Sequence, residues 1–140
     1  MLCVNRYRQG YIDKCRSRMQ AQLAAYKGMV AVARAKTGSS KAMDTFKPLF
    51  FGNLVVVLDG LFVHRARAPE NKDGNPLNEV RMICNSLLQN RGVLKEDNSI
   101  KYSAEKSVVK VNIGDEIKLT EAACVALFKA FFAEIEAKFV

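Results

Sequence analysis

The chain carries one histidine, His64, in the run His64-Arg65-Ala66-Arg67, so any imidazole chemistry must pass through that residue. Read as a helix, Asn53, Val57, Gly60, His64 and Arg67 follow steps of three and four and share one stripe. Such a stripe would form one wall of a pocket. Gly60 leaves room, Asn53 and His64 offer directional hydrogen bonds, and Arg65 and Arg67 add positive charge. Asn78, Arg81 and Asn85 form a second polar stripe at the same spacing on the next helical segment. Between the two, the loop Glu70-Asn71-Lys72-Asp73-Gly74-Asn75 opens into Pro76 and a helix N-terminus, whose free N–H groups attract anions. The candidate ligand-binding residues are therefore Asn53, His64, Arg65, Arg67, Asn78, Arg81 and Asn85, and the ligand they would suit is an anionic small molecule.

A plainer account of the same residues competes with this one. Cations near a helix C-terminus stabilise the helix by roughly 0.3–1 kcal/mol each through the dipole. Gly60 can serve close packing, Asn75-Pro76 reads as an ordinary helix start, and Asp73 repels an anion. No reaction is identifiable. The loop matches neither the phosphate-binding nor the dinucleotide-binding glycine pattern, and no Gly-x-Ser-x-Gly elbow occurs. With one histidine, and with Asp59, Asp73 and Glu79 at no ligand spacing, neither a metal site nor a cofactor is expected. Cys3, Cys15, Cys84 and Cys124 form no Cys-x-x-Cys pair and read as buried free thiols, most clearly Cys84 and Cys124, which fall on apolar helical faces. A binding role is preferred to an enzymatic one.

Four helices are needed to position these residues. The first spans about Ile12 to Ala35, with a stripe of Ile12, Cys15, Met19, Leu23, Tyr26, Val30 and Ala33, and stops at Thr37-Gly38-Ser39-Ser40. The second starts near Asp44 or Thr45, with Pro48 in its first turn, and runs to about Ala66. Asp59-Gly60 between apolar runs is also a hairpin signal, but a lone hairpin would have no sheet to join, so a helix is preferred. Apolar on nearly every side, this helix is expected at the centre. The third starts at the Asn75 cap and carries Leu77, Val80, Cys84 and Leu87, with Leu88 beside them, ending near Asn90-Arg91-Gly92. Val108 to Val111 and Glu116 to Leu119, flanking Asn112-Ile113-Gly114-Asp115, predict a small β-hairpin. Thr120 then caps a last helix bearing Cys124, Leu127, Phe128, Phe131, Phe132, Ile135 and Phe139. The expected fold class is mainly α, a four-helix assembly with a small hairpin before the last helix, forming one domain over residues 1–140.

Composition agrees with a folded protein, at 49% apolar and 26% charged residues. A formal charge of +8 favours acidic or nucleic-acid partners, and the cations Arg16, Arg18, Lys27 and Arg34 of the first helix, after Arg6 and Arg8, could follow a phosphate backbone. Binding or self-association is the leading expectation, as a homodimer joined through the apolar excess of the second and last helices. The opening Met1-Leu2-Cys3-Val4-Asn5-Arg6 has no secretory apolar core and no run reaches a membrane span, which points to the cytoplasm.

The segments Phe62-Val63-His64-Arg65 and Lys72-Asp73-Gly74-Asn75-Pro76-Leu77-Asn78-Glu79-Val80-Arg81, with Gly114-Asp115-Glu116-Ile117 and Phe131-Phe132-Ala133-Glu134-Ile135-Glu136, resemble a set of small bacterial helical proteins without an assigned activity. The resemblance implies a bacterial source and a characteristic central loop, and no catalytic residues.

Overall fold

A computed structural model describes residues 3–38 and 40–140. Met1 and Leu2, where the reading of the chain start begins, and Ser39 of the first turn lie outside the described residues. Among the described residues, four helices make up the architecture: α1 (Gln9–Thr37), α2 (Lys41–Leu61), α3 (Pro76–Gln89) and α4 (Glu121–Phe139), with one 3-10 turn at Ala68–Glu70. None of the described helices is long and apolar enough to cross a membrane.

Side-chain packing explains the arrangement. The expected stripe of α1 is buried at Ile12, Cys15, Met19, Leu23, Tyr26 and Val30, while Ala33 is only half-buried. Tyr11, at the start of α1, donates to the Leu61 carbonyl at the end of α2, and Tyr26 stacks on Phe50 with centroids 4.9 Å apart, so the two helices run antiparallel. Helix α3 lies on the far side of α2, where the Cys84 thiol donates to the Val55 carbonyl and Gly52 lets the Leu87 side chain approach. A Cβ at Gly52 would stand 3.3 Å from Leu87 Cδ1. Helix α4 closes the core with Phe128, Phe131, Phe132 and Phe139, all buried, and its middle meets the end of α2 through edge-on packing of Phe62 against Phe131 and Phe132.

Several expectations need correction. Ser40, not Asp44 or Thr45, caps α2 by accepting from the Met43 N–H, so Pro48 lies well inside the helix rather than in its first turn. Helix α2 ends at Leu61, five residues before Ala66. Long-range pairing is the reason: the Val4 N–H donates to the His64 carbonyl and the Ala66 N–H to the Val4 carbonyl, both at 2.8 Å, in an isolated parallel bridge. Nor is α2 enclosed on every side, because Phe46, Leu49 and Val57 are exposed; on α3, Leu88 is 67% exposed.

The hairpin does not form. Among the described residues there is no β-strand, and residues 108–119 are irregular around one turn at residues 113–114, with one isolated antiparallel bridge between Val93 and Glu116. The would-be strand gives its N–H groups away: Val108 and Val109 donate to the two carboxylate oxygens of Glu79 at 3.0 and 2.9 Å. Lys110, at φ 55°, then turns the chain out of extended geometry.

Local chemistry sets the other helix starts. The Asn75 Oδ1 accepts from the N–H groups of Leu77 and Asn78, and Thr120 Oγ1 accepts from that of Ala123. Gly74, at φ 86°, sits so close to the Lys101 carbonyl that no side chain fits there.

Candidate functional site

Because α2 stops at Leu61, Arg65 turns inward instead of following a helical stripe. It is among the largest fully buried side chains in the protein. A buried guanidinium needs a counter-charge and hydrogen-bond acceptors, and the 3-10 turn supplies both in Glu70. Arg65 Nε and Nη2 donate to the Glu70 carboxylate at 3.1 and 3.3 Å, Nη1 donates to the Phe62 carbonyl at 2.9 Å, and the guanidinium lies over the Phe131 ring. Asp59, near the end of α2, adds a second carboxylate 3.6 Å from Arg65 Nη1, a charge contact without a hydrogen bond.

Helix α3 approaches Glu70 from the other side. Arg81 Nη2 donates to Glu70 Oε2 at 2.7 Å, and Asn78 Nδ2 donates to Glu70 Oε1 at 3.3 Å and to the Asn71 carbonyl at 3.0 Å. The Asn78 Oδ1 in turn accepts from Gly74 N–H. The Glu70 carbonyl accepts from Asn75 Nδ2 and from Lys138 Nζ of α4. Burial pushes the Glu70 carboxyl up, but the hydrogen bond from Arg81 and the charge of Arg65 together outweigh it and hold the group below its ordinary range. Glu70 is thus a fixed anion. A general acid or base at neutral pH needs a proton that comes and goes, and this carboxylate does not provide one.

The candidate residues therefore divide. Arg65, Asn78 and Arg81 converge on Glu70, and Arg67 joins Asn78 and Arg81 in lining a crevice of about 200 Å3 that also includes Lys72, Asp97 and Ser99. That volume is below the several hundred Å3 common for small-molecule pockets. Burial, followed by the like charge of Arg81, holds Arg67 below the usual arginine value. His64 is exposed and contributes only its backbone carbonyl to the Val4 bridge, so it shares no stripe with Asn53 or Arg67. Asn53 lines a separate groove between α2 and α3, and Asn85 lines another beside Lys95–Ser99.

Glu70, Asp59 and Lys138 were not among the candidates. A signal did exist for Glu70: an arginine that closes an apolar run is stable only when paired, and the first acidic residue after Arg65 is Glu70. Glu79 was also missed as an anchor. Burial raises its carboxyl pKa, against the two backbone hydrogen bonds from Val109 and Val108.

Of the four cysteines, Cys3 is exposed, contrary to the expectation of burial, because it precedes α1 and packs in no helix face. Cys15, Cys84 and Cys124 are buried free thiols; burial drives the Cys84 thiol upward and pushes Cys124 up to about 12. Among the described residues, no three or more histidine, cysteine, aspartate or glutamate side chains gather as metal ligands. The cations of α1 do not form one track, since Arg16 pairs with Asp13 and Glu136 and lies over the Phe132 ring, whereas Lys27 and Arg34 line a groove farther along.

What these features define is a mainly helical protein of four helices with an internally satisfied ionic cluster. No family model, curated protein or solved structure matches the chain.

Proposed function

We propose that this protein acts by binding through the outward face of α2 and the adjoining edge of α3, and that a second copy of the chain occupies that face. The observation that carries the reading is the continuity of exposed apolar side chains there. Leu49 is 64% and Leu88 67% exposed, and Phe46 and Val57 extend the strip along α2 at helical spacing. Between Lys47 and Asp59, α2 contains no charged residue. Leu49, Gly52, Asn53, Val56, Leu87 and Leu88 form the apolar part of a groove of about 600 Å3 between α2, α3 and residues 116–118, and Lys41, Asp44, Arg91, Glu116 and Lys118 give it a mixed-charge border, a shape suited to a facing helix. Asn53 stands within this strip and can fix register by hydrogen bonding, as single polar residues do in helix pairs.

Helix α2 is the joining element and α4 takes no part, because its aromatic residues lie in the core. Light scattering after size exclusion tests it. A species of twice the 15.6 kDa chain mass is expected at micromolar concentrations, and Leu49→Asp with Leu88→Asp should convert it to the single-chain mass while retaining helical content. A strict monomer at every concentration would overturn the self-association.

A further inference from the structure

At the opposite end of the helices from the Glu70 cluster, a groove of about 520 Å3 opens between the second half of α1, the first half of α2 and the start of α4. Tyr26, Val30, Phe51 and Leu119, all buried, form its apolar floor. Tyr26, only 6% exposed, is held by stacking on Phe50 and by edge contact with Phe51, at centroid distances of 4.9 and 5.0 Å, so a small, ordered part of its ring reaches the groove. Lys27, Arg34, Lys47 and Lys118 stand around this floor, against Asp44 and Glu121. Of the four cations only Lys118 has an acidic partner among the described residues, a loose and exposed contact to Glu116 at 3.8 Å.

We infer that this groove binds a small organic acid with a flat apolar body, the body lying over Ala31, Pro48 and the accessible part of Tyr26 and the anionic group held by Arg34, Lys27 and Lys47. Three observations join here. The volume falls within the range of small-molecule pockets. The floor is apolar and aromatic, whereas the rim has two more positive than negative groups. Burial raises the Tyr26 hydroxyl, with Glu121 acting in the same sense and Arg34 opposing it, so this hydroxyl lies within electrostatic reach of both rim charges. The two acids have a consequence of their own: they disfavour multiply charged anions, which makes a monoanion such as an aromatic carboxylate the better occupant than a nucleotide. This groove adjoins the strip proposed for self-association and shares Asp44, Pro48 and Lys118 with the groove there, but Tyr26, Arg34, Lys47 and Phe51 line it alone, so the Arg34 and Lys47 variants test it apart from the Leu49 and Leu88 variants.

The probe is naphthoate, titrated calorimetrically into the parent protein, with naphthamide as its uncharged counterpart. Saturable binding is expected, with naphthamide weaker by about tenfold or more, the scale of one charge-assisted contact. Arg34→Ala with Lys47→Ala should weaken naphthoate by about tenfold or more, whereas Lys14→Ala with Arg18→Ala, an equal charge change elsewhere on α1, should leave it within about twofold. Amide shifts in the parent, read by NMR, should centre on Tyr26, Phe51 and Leu119. Absence of saturable binding, equal affinity for the amide, equal effects of the two double variants, or shifts centred elsewhere would each overturn the inference.

Discussion

The two ends of the helix assembly handle positive charge in opposite ways. At the end where α1 begins and α4 finishes, Arg65 and Arg81 share one carboxylate, Asn78 donates to the same group, and Lys138 holds the backbone beneath. At the other end Lys27, Arg34 and Lys47 surround an aromatic floor and pair with no acid among the described residues. Arginines that look functional in sequence are thus engaged in holding three segments together, and cations without any motif are the ones left with free hydrogen-bond donors. A charged residue is informative about binding only after its partners are known.

The sharpest way to break the contrast is Glu70→Ala. Removing the shared anion strands Arg65 with no side-chain carboxylate but Asp59, and a loss of about 3–5 kcal/mol in urea unfolding is expected. Glu79→Ala comes next. It releases the Val108 and Val109 N–H groups and should reduce stability by about 1–3 kcal/mol, with faster hydrogen exchange at those two amides. Gly74→Ala should fall in a similar range, because a Cβ there presses on the Lys101 carbonyl at a left-handed φ.

Acid separates the two buried carboxylates by sign. Glu70 has a depressed folded pKa, so its contribution is full above the unfolded value of about 4.3 and is lost as pH falls from there through the lower folded value. The stability gap between the parent and Glu70→Gln should therefore be wide at neutral pH and close in that acid window. Glu79 has a raised folded pKa, so its contribution is present at low pH and declines as pH rises through that value. Equilibrium unfolding across an acid series, with Glu70→Gln and Glu79→Gln in parallel, should show gaps that change in opposite directions. The smallest effect belongs to the open end: Lys27→Ala or Lys47→Ala should alter stability by no more than about 0.5 kcal/mol.

Those contrasts also mark where local sequence was sufficient. Asn75 and Thr120 cap their helices with hydrogen bonds two or three residues away, and the stripes of α1 and α4 pack as their spacing implies. The end of α2 was hidden because its determinants, the Val4 bridge and the Arg65 to Glu70 pair, involve partners distant in sequence or beyond the helix. The hairpin was misread for a similar reason. Val108 to Val111 has strand-like residues, but a glutamate about thirty positions earlier takes its donors. Four candidates, Arg65, Arg67, Asn78 and Arg81, gather near Glu70, while Asn53, His64 and Asn85 are placed elsewhere by the early end of α2 and by the exposed side of α3. The groove at the other end was not legible at all, since its cations come from α1, α2 and the segment before α4.

Paired arginines that hold the fold and unpaired cations that hold a ligand are told apart by measuring two quantities on two variants. Thermal midpoint and naphthoate affinity would be recorded for Arg81→Ala and for Arg34→Ala. The expected result is crossed: Arg81→Ala lowers the midpoint and leaves affinity unchanged, whereas Arg34→Ala lowers affinity and leaves the midpoint unchanged. An Arg81→Ala protein that keeps its midpoint but loses naphthoate would contradict it.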